Sequence, residues 1–307
     1  MMLHDVMMTR QGTSGKPILD VVALSKEFSV NGSATQVLQD VTFSVSQGEM
    51  LCVVGRSGCG KTTLLNILAG FEPPTLGYVA MHGNIIKKPG PDRCVVFQED
   101  SLFPWLTVRE NIAFGLPGIK KTAVQDREID RYLAHVGLWD FQHYLPREIS
   151  GGMKQRVALA RVLILKPQVL LMDEPFASLD YHTRREMQNL LISLWEELGH
   201  TIVFVTHDID EAITLADTIL VMDISPGRIK EEIRVSLSRP RSVEHESYLA
   251  IRRKLMGIYE DPSTHHPSSD TPDRFMANPS VSPDSDTMKA RTVRTMRAQK
   301  KDAQGEK

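Results

Sequence analysis

A glycine-rich stretch lies between an apolar run and a helical pattern, where residues 55–63 read GRSGCGKTT. Its glycines Gly55 and Gly60 are five positions apart and precede Lys61 and Thr62, which is the spacing of a phosphate-binding loop. Such a loop points backbone N–H groups at phosphate oxygens, and the helix that follows adds the positive end of its dipole. We name residues 55–63 the P-loop. The residues expected to contact nucleotide are Gly55, Arg56, Ser57, Gly58, Cys59, Gly60, Lys61, Thr62 and Thr63.

Four apolar runs stop abruptly at a glycine or a polar residue. They are Met50–Val54 before Gly55, Val95–Phe97 before Gln98, Val169–Met172 before Asp173 and Glu174, and Ile202–Val205 before Thr206 and His207. Continuous apolar runs are typical of parallel strands covered on both faces, and the carboxyl ends of such strands share one edge of the sheet. We therefore expect these polar side chains to converge on the P-loop.

This set of residues predicts a nucleoside triphosphatase. Lys61 is expected to neutralise charge on the β- and γ-phosphates, and the Thr62 hydroxyl to bind Mg²⁺. Asp173 is predicted to hold Mg²⁺ through water, and Glu174 to polarise the attacking water.

Composition narrows the classes of protein. The chain has 307 residues, 41% hydrophobic and 24% charged, which is typical of a globular protein. Lys plus Arg number 36 against 38 Asp plus Glu, so the strong basic field of a dedicated nucleic-acid binder is absent. No window offers the roughly 18 apolar residues that a membrane span needs. The three cysteines match neither a disulfide framework nor a zinc pattern; they are Cys52, Cys59 and Cys94.

The order of elements predicts an α/β fold. From Ile18 to about Gly257, short apolar runs alternate with helical patterns, which favours a mostly parallel core sheet. Residues 37–45 alternate apolar and polar positions, with Val37 and Val41 on the apolar face, as in an antiparallel strand beside the main sheet. Between Ser101 and Ser150 the pattern is mainly helical, so we expect an inserted helical subdomain at about residues 99–160.

Residues 149–156 read ISGGMKQR and resemble the signature sequence of ATP-binding cassette (ABC) proteins. Further positions stand in the family order. They are Gln98 (Q-loop), Asp180 at the end of Ala177–Asp180 (D-loop), His207 (H-loop) and Phe28, where the family has an aromatic residue that stacks on adenine. The resemblance covers about residues 18–227. It departs from the usual pattern at Ile149, where Leu is commoner, and at Phe28, where Tyr is usual.

The resemblance implies a fold and a mechanism. The fold is a P-loop NTPase with an antiparallel β subdomain and an inserted α-helical subdomain. Two copies would form a head-to-tail homodimer that holds two ATP molecules, each between the P-loop of one copy and the signature of the other, which comprises Ser150, Gly151 and Gly152. In that dimer Glu174 would position the hydrolytic water and His207 would contact the γ-phosphate. Gln98 would link Mg²⁺ to the helical subdomain, and Asp180 would communicate across the dimer.

The region from Gln98 to Ile112 is similar to that of bacterial importer subunits for nitrate, sulfonate, taurine and related solutes, as are Met153 and the triplet Arg239–Arg241. This implies an ATP-hydrolysing subunit on the cytoplasmic face of the inner membrane. Its partners would be two membrane permease subunits and a solute-binding protein, with no nucleic acid.

Two other classes remain open alternatives. One is a soluble ABC ATPase that acts on nucleic acid or the ribosome, although such proteins usually carry two cassettes or a long coiled coil. The other is a degenerate regulatory cassette, which the intact Lys61, Glu174 and His207 disfavour.

Two segments have two interpretations each. Residues Phe103–Trp105 would either line the groove for a cytoplasmic helix of the membrane subunit or pack inside the helical subdomain.

We divide the chain into a flexible tail at 1–16, an ABC ATPase domain at 17–258 and a disordered extension at 259–307. Its residues 261–307 contain one aromatic residue, recurring prolines and a basic end, so this stretch buries too little apolar surface to fold. Its basic end would either contact anionic lipid or remain solvated.

Overall fold

The structure, a computed structural model, describes residues 17–30, 33–98, 101–116, 118, 122–224 and 226–260. Its strands are β1 (Pro17–Val30), β2 (Ser33–Ser46), β3 (Met50–Val54), β4 (Leu76–Met81), β5 (Asn84–Ile85), β6 (Arg93–Val96), β7 (Val169–Asp173), β8 (Thr201–Thr206), β9 (Thr218–Met222) and β10 (Ile229–Arg234). Its α-helices are α1 (Lys61–Ala69), α2 (Val108–Ala113), α3 (Ala123–His135), α4 (Gly151–Leu163), α5 (Tyr181–Leu198), α6 (Ile209–Leu215) and α7 (Glu246–Glu260). The predicted tail at 1–16 and residues 261–307 of the predicted extension lie outside the described residues.

The core is a six-stranded sheet in the order β10-β9-β3-β8-β7-β6. All pairings in it are parallel except that of β10 with β9, which confirms the predicted mostly parallel core sheet. Strands β3, β8 and β9 are buried along their whole length, because α4, α5 and α6 cover one face of the sheet, and α1 with strands β1 and β2 covers the other. The carboxyl ends of β3, β7 and β8 therefore reach the same edge, where the P-loop begins.

A second, antiparallel sheet has the order β2-β1-β4-β5. Val41, Phe43 and Val45 alternate with exposed residues along β2, as predicted. Nearer the start of the strand the alternation shifts by one residue at Asp40, which has a left-handed backbone (φ +49°). Leu38 is consequently the fully buried residue, whereas Val37, predicted to share the apolar face, is only partly buried. A single left-handed residue moves side chains to the opposite face because the strand period is two.

Helices α2, α3 and α4 lie between β6 and β7, in the region where the helical subdomain is predicted. Thr107 and Thr122 begin α2 and α3 with capping boxes formed with Glu110 and Gln125, which satisfy otherwise unpaired N–H groups. Each helix in the described part of the chain is too short or too polar to span a bilayer.

Two predicted boundaries differ from the structure. Strand β6 ends at Val96 rather than Phe97. The Phe97 ring is 45% exposed and stacks on Phe71, with 6.4 Å between ring centroids. Helix α7 continues to Glu260, two residues beyond the predicted domain end at 258, because residues near its end still pack on the core.

Arg241 holds the C-terminal end of α6. Its side chain is buried, at 8% exposure, and it donates hydrogen bonds to the carbonyl oxygens of Ile213 (2.6 Å), Ala216 (2.7 Å) and Leu237 (3.0 Å). The last carbonyls of a helix lack partners within the helix. Burial lowers the pKa of the guanidinium to about 10, so it remains protonated at neutral pH.

We expect Arg241→Ala to lower the free energy of unfolding by about 3 kcal/mol, because several buried carbonyls lose their donor. Urea unfolding measures this change. The matched control is Arg253→Ala, which removes an exposed partner of Glu246 and should change stability by less than about 0.5 kcal/mol. An equally small change for Arg241→Ala would contradict a capping role.

Candidate functional site

The P-loop connects β3 to α1 and turns through left-handed glycines. Gly58 has φ +82° and Gly60 has φ +94°, a conformation that other residues adopt only at a cost. A Cβ added to Gly60 would lie 2.7 Å from a methyl carbon of Leu38. Gly60 directly precedes Lys61, the first residue of α1, so the N-terminus of this helix lies next to the loop.

Lys61 lies over the P-loop and faces a carboxylate. Its side chain is 6% exposed, and Nζ donates to the carbonyl oxygens of Gly55 (2.8 Å) and Arg56 (3.2 Å). The same nitrogen is 3.6 Å from Oε1 of Glu174. A buried ammonium is stable only with such partners, so the fold places a fixed positive charge between the loop and the end of β7.

Asp173 is the last residue of β7 and faces the start of α1. The Thr62 hydroxyl donates to Oδ1 of Asp173 at 3.4 Å. Burial raises the pKa of Asp173, and the hydrogen bond from Thr62 partly opposes this change. A hydroxyl and a carboxylate are oxygen ligands suited to Mg²⁺, which takes few protein ligands and completes its coordination with water and phosphate. The donor set therefore fits a magnesium ion.

Glu174 occupies a strained position directly after β7. Its backbone is left-handed (φ +45°), which costs on the order of 1–3 kcal/mol for a non-glycine residue. Its N–H donates to the Val205 carbonyl of β8 at 3.0 Å, and Oε2 lies 2.7 Å from Nδ1 of His207. The neighbouring strand thus holds Glu174 in the conformation that pairs it with both Lys61 and His207.

The structure therefore brings together five of the predicted site residues, which are Lys61, Thr62, Asp173, Glu174 and His207. Gln98 is exposed, and no described contact joins its side chain to this group. Its carbonyl oxygen instead accepts a hydrogen bond from Nε2 of Gln155 at 3.1 Å. Since Gln155 belongs to α4, the backbone at Gln98 is tied to the helical region.

Phe28, Asp180 and the signature lie apart from that group. The Phe28 ring lies on β1, 4.7 Å from Nζ of Lys26. Ser150 caps α4 by accepting the Met153 N–H at 3.3 Å, and no described contact joins Ser150 to the P-loop of the same chain. Asp180 caps α5, and hydrogen bonds from the backbone and hydroxyl of Thr183 lower the pKa of its carboxyl.

Arg184 is a site-linking residue that the sequence analysis missed. One terminal nitrogen donates to the Leu179 carbonyl at 2.8 Å, and the other lies 3.5 Å from the Asp208 carboxylate. It therefore joins the stretch that ends in Asp180 to the stretch that contains His207. The sequence pattern does not distinguish Arg184 from other arginines on helices. Its only signal is its position four residues after Asp180.

Cys59 and Trp105 differ in their exposure to solvent. Cys59 is fully buried, and burial raises the pKa of its thiol, which favours a small packing residue over a reactive sensor. Trp105 is 71% exposed, whereas the Phe103 ring lies 4.3 Å from that of Phe114. Phe103 thus joins Phe114 and Trp105 in an aromatic cluster at the surface of the helical region, and Trp105 remains accessible to a partner.

A P-loop after one parallel strand, with carboxylates and a histidine at the ends of neighbouring strands, defines this chain as a P-loop nucleoside triphosphatase. The ABC transporter family model matches residues 38–177. The chain is 44% identical over 241 residues to the nitrate import ATP-binding protein NrtD of Synechococcus elongatus, covering 76% of this chain and 88% of NrtD. It is 49% identical over 220 residues to the taurine import ATP-binding protein TauB of Roseobacter denitrificans, covering 71% of this chain and 82% of TauB.

Among solved structures, the chain resembles the dimeric ATP-binding cassette MJ0796 in a post-hydrolysis state bound to ADP and Pi. The TM-score is 0.62 at 29% identity, over 72% of this chain and 100% of the cassette chain. The chain belongs to the ABC transporter family of ATP-binding proteins. These matches confirm the predicted family, the predicted P-loop NTPase fold and the assignment as an ATPase.

Proposed function

We propose that this chain is the ATP-hydrolysing subunit of a bacterial importer for small solutes of the nitrate, sulfonate and taurine type. The observation that carries the proposal is the group formed by Lys61, Thr62, Asp173, Glu174 and His207 at one sheet edge. The similarity to NrtD and TauB supports the transport task. Both of those proteins are named for import of a solute that carries an oxyanion group.

A homodimer is part of the proposal. The N-terminus of α4 combines an N-capping Ser150, an exposed Gly151 and open space where a Cβ of Gly151 would stand. A helix N-terminus of this kind suits an anion. Since no described contact brings it to the P-loop of its own chain, a second copy would supply the signature, and the dimeric form of MJ0796 supports this arrangement.

In the proposed mechanism the P-loop N–H groups and Lys61 bind the phosphates of ATP. The phosphates replace the loop carbonyls as partners of the Lys61 ammonium. Thr62 and Asp173 would hold Mg²⁺, which supplies charge neutralisation on the β- and γ-phosphates. Glu174 orients and polarises the water that attacks the γ-phosphorus, while the bond to the ADP oxygen breaks. The hydrogen bond to Glu174 orients His207 toward the γ-phosphate.

The remaining predicted residues have proposed roles outside this group. Phe28 would stack on adenine, and Asp180 would contact the second copy. Gln98 would couple the nucleotide bound in the site to the position of the helical region. The charge-stabilising hydrogen bonds on Asp180 support a role that needs an ionised carboxylate. The Gln98 carbonyl bond to Gln155 supports a mechanical link.

Replacing Asp173 with Asn is expected to raise the stability of the nucleotide-free chain and to lower its ATPase activity. Burial raises the Asp173 pKa above its unfolded value, so at neutral pH the ionised side chain is held less favourably in the folded chain than in the unfolded one. We expect Asp173→Asn to stabilise the nucleotide-free chain by about 1 kcal/mol and to reduce Mg²⁺-dependent ATPase activity by at least about 100-fold. Thermal unfolding and phosphate release measure the two effects. Retained activity would remove Asp173 from the proposed metal site.

The proposed partners follow from the transport task. Two permease subunits would receive the helical region, with exposed Trp105 at the contact, and a solute-binding protein would deliver the solute. The chain would then be peripheral on the cytoplasmic face of the inner membrane. The contact of the basic C-terminal end with anionic lipid stays a prediction, since that end lies outside the described residues. Cosedimentation with phosphatidylserine vesicles, comparing the full chain with a chain that lacks residues 261–307, checks it.

Solute uptake in the source organism tests the proposed function. A chromosomal Glu174→Gln substitution should abolish uptake of labelled nitrate or labelled taurine while the protein level stays unchanged. Uptake of both solutes at the wild-type rate would overturn the proposed task. NrtD and TauB are named for import, so they do not favour the alternative of action on nucleic acid or the ribosome.

A further inference from the structure

The end of α7 contacts the P-loop. A terminal nitrogen of Arg56, the second residue of the P-loop, donates a hydrogen bond to the carbonyl oxygen of Tyr259 at 2.6 Å. The two residues are 203 positions apart in the chain. Arg56 otherwise lies at an exposed position of the loop, so its side chain reaches away from the phosphate-facing backbone toward the last turn of the helix.

A second basic side chain acts on the same helix end. Nζ of Lys230, on β10, donates to the carbonyl oxygen of Ile258 at 3.1 Å. The last carbonyls of a helix lack intrahelical donors and carry partial negative charge, so cations are favourable there. One of these two donors comes from the core sheet and the other from the P-loop. Helix α7 is therefore fixed to the sheet and, through Arg56, to the loop.

Tyr259 packs into the same place. Its ring is partly buried against the core, and its hydroxyl is buried with no hydrogen-bond partner among the described residues. Burial raises the pKa of this hydroxyl, and the nearby Cys59 and Arg56 also influence it. The cavity between Arg56, Met222 and Tyr259 has a volume of about 20 Å³, enough for about one water molecule. The region is thus a packed contact and not a ligand site.

The hydrogen bond between Arg56 and Tyr259 constrains the rest of the P-loop. The Cys59 N–H donates to the Arg56 carbonyl at 3.3 Å, and Lys61 Nζ donates to the same carbonyl at 3.2 Å. Ser57 and Gly58, between them, are exposed. The backbone of Arg56 thus anchors both the turn and the phosphate-binding ammonium, and its side chain connects this anchor to α7.

We propose that the C-terminal end of α7 supports the P-loop and that Arg56 is a positioning residue which sets the affinity for ATP through this contact. The inference rests on the proposed function. Loop positioning acts on phosphate binding in the ground state and the transition state alike, so it should affect KM and leave kcat unchanged.

The full chain carrying Arg56→Ala tests the proposal by steady-state ATP hydrolysis. We expect KM for ATP to rise about fivefold, as loss of one hydrogen bond of typical net strength implies, with kcat unchanged. Arg56→Lys retains a donor and should restore most of the affinity. Thermal unfolding without nucleotide checks that each variant is folded. A wild-type KM in Arg56→Ala would overturn the proposal.

Lys230→Ala distinguishes support by the helix from an effect confined to the loop. Lys230 lies on β10, outside the P-loop, and binds the same helix end through the Ile258 carbonyl, so we expect Lys230→Ala to raise KM about twofold and to couple with Arg56→Ala in a double-mutant cycle. The control Arg253→Ala changes an exposed residue of α7 and should leave KM unchanged. If the effects of the two substitutions on KM are strictly additive, or if Lys230→Ala leaves KM unchanged, the proposed support of the P-loop by α7 is overturned. If the wild-type chain fails to hydrolyse ATP, the proposed function itself fails.

Discussion

Glu174→Gln is expected to reduce ATP turnover by about 10³-fold, within the range that loss of a general base costs. The neutral amide keeps the size of the side chain and can still contact His207 Nδ1, but it can no longer polarise water or accept its proton. ATP should still bind, because the P-loop is unchanged. Phosphate release measures turnover, and equilibrium binding of ATP measures affinity.

The matched control for this substitution is Glu197→Gln. Glu197 is an exposed residue of α5 that pairs with Arg131, so its change should leave turnover within about twofold of wild type. Glu174→Gln with turnover near wild type would show that another group activates the water. A loss of ATP binding would show instead that the substitution disturbed the loop through Lys61.

Lys61→Met should weaken ATP binding by at least about 100-fold, since a desolvated charge pair with phosphate contributes several kcal/mol. Methionine keeps the apolar stem and most of the length of the side chain, so the core beneath α1 stays filled. Removing the ammonium also deprives the Gly55 carbonyl of its donor, the Arg56 carbonyl of one of its two donors, and Glu174 of an ion-pair partner. Titration with ATP in the presence of Mg²⁺ measures the loss.

Lys166→Met provides the control for Lys61→Met. Lys166 is exposed and pairs with Glu128, so this substitution removes the same charge from the chain without touching the P-loop. ATP affinity should remain at the wild-type value. If both variants bound ATP equally well, the charge of Lys61 would have no role in phosphate binding.

The sequence predicted the parallel sheet and its edge because each signal was local. An apolar run indicates a buried strand, and a polar residue at the end of the run indicates the edge of the sheet. These signals located Asp173, Glu174 and His207 correctly relative to Lys61 and Thr62. The end of β6 was misplaced by one residue, because Phe97 is apolar yet stacks on an exposed ring beyond the strand.

Other features depend on contacts that no local pattern encodes. The shift at Asp40 arises from one left-handed residue, which sequence alternation does not reveal. Arg56 acts through the carbonyl group of Tyr259 in a distant helix, and any residue type offers such a carbonyl. Arg184 reaches the Asp208 carboxylate in a different segment of the chain, a pairing that no local spacing indicates. The separation of Ser150 from the P-loop has a different cause, since the proposed partner of the signature belongs to a second copy of the chain.

Analytical ultracentrifugation of the Glu174→Gln chain, with and without ATP, tests the central claim that nucleotide is held between two copies. A monomer that becomes a dimer only when ATP and Mg²⁺ are added is the predicted result. A chain that binds ATP yet sediments as a monomer at every protein concentration would contradict it.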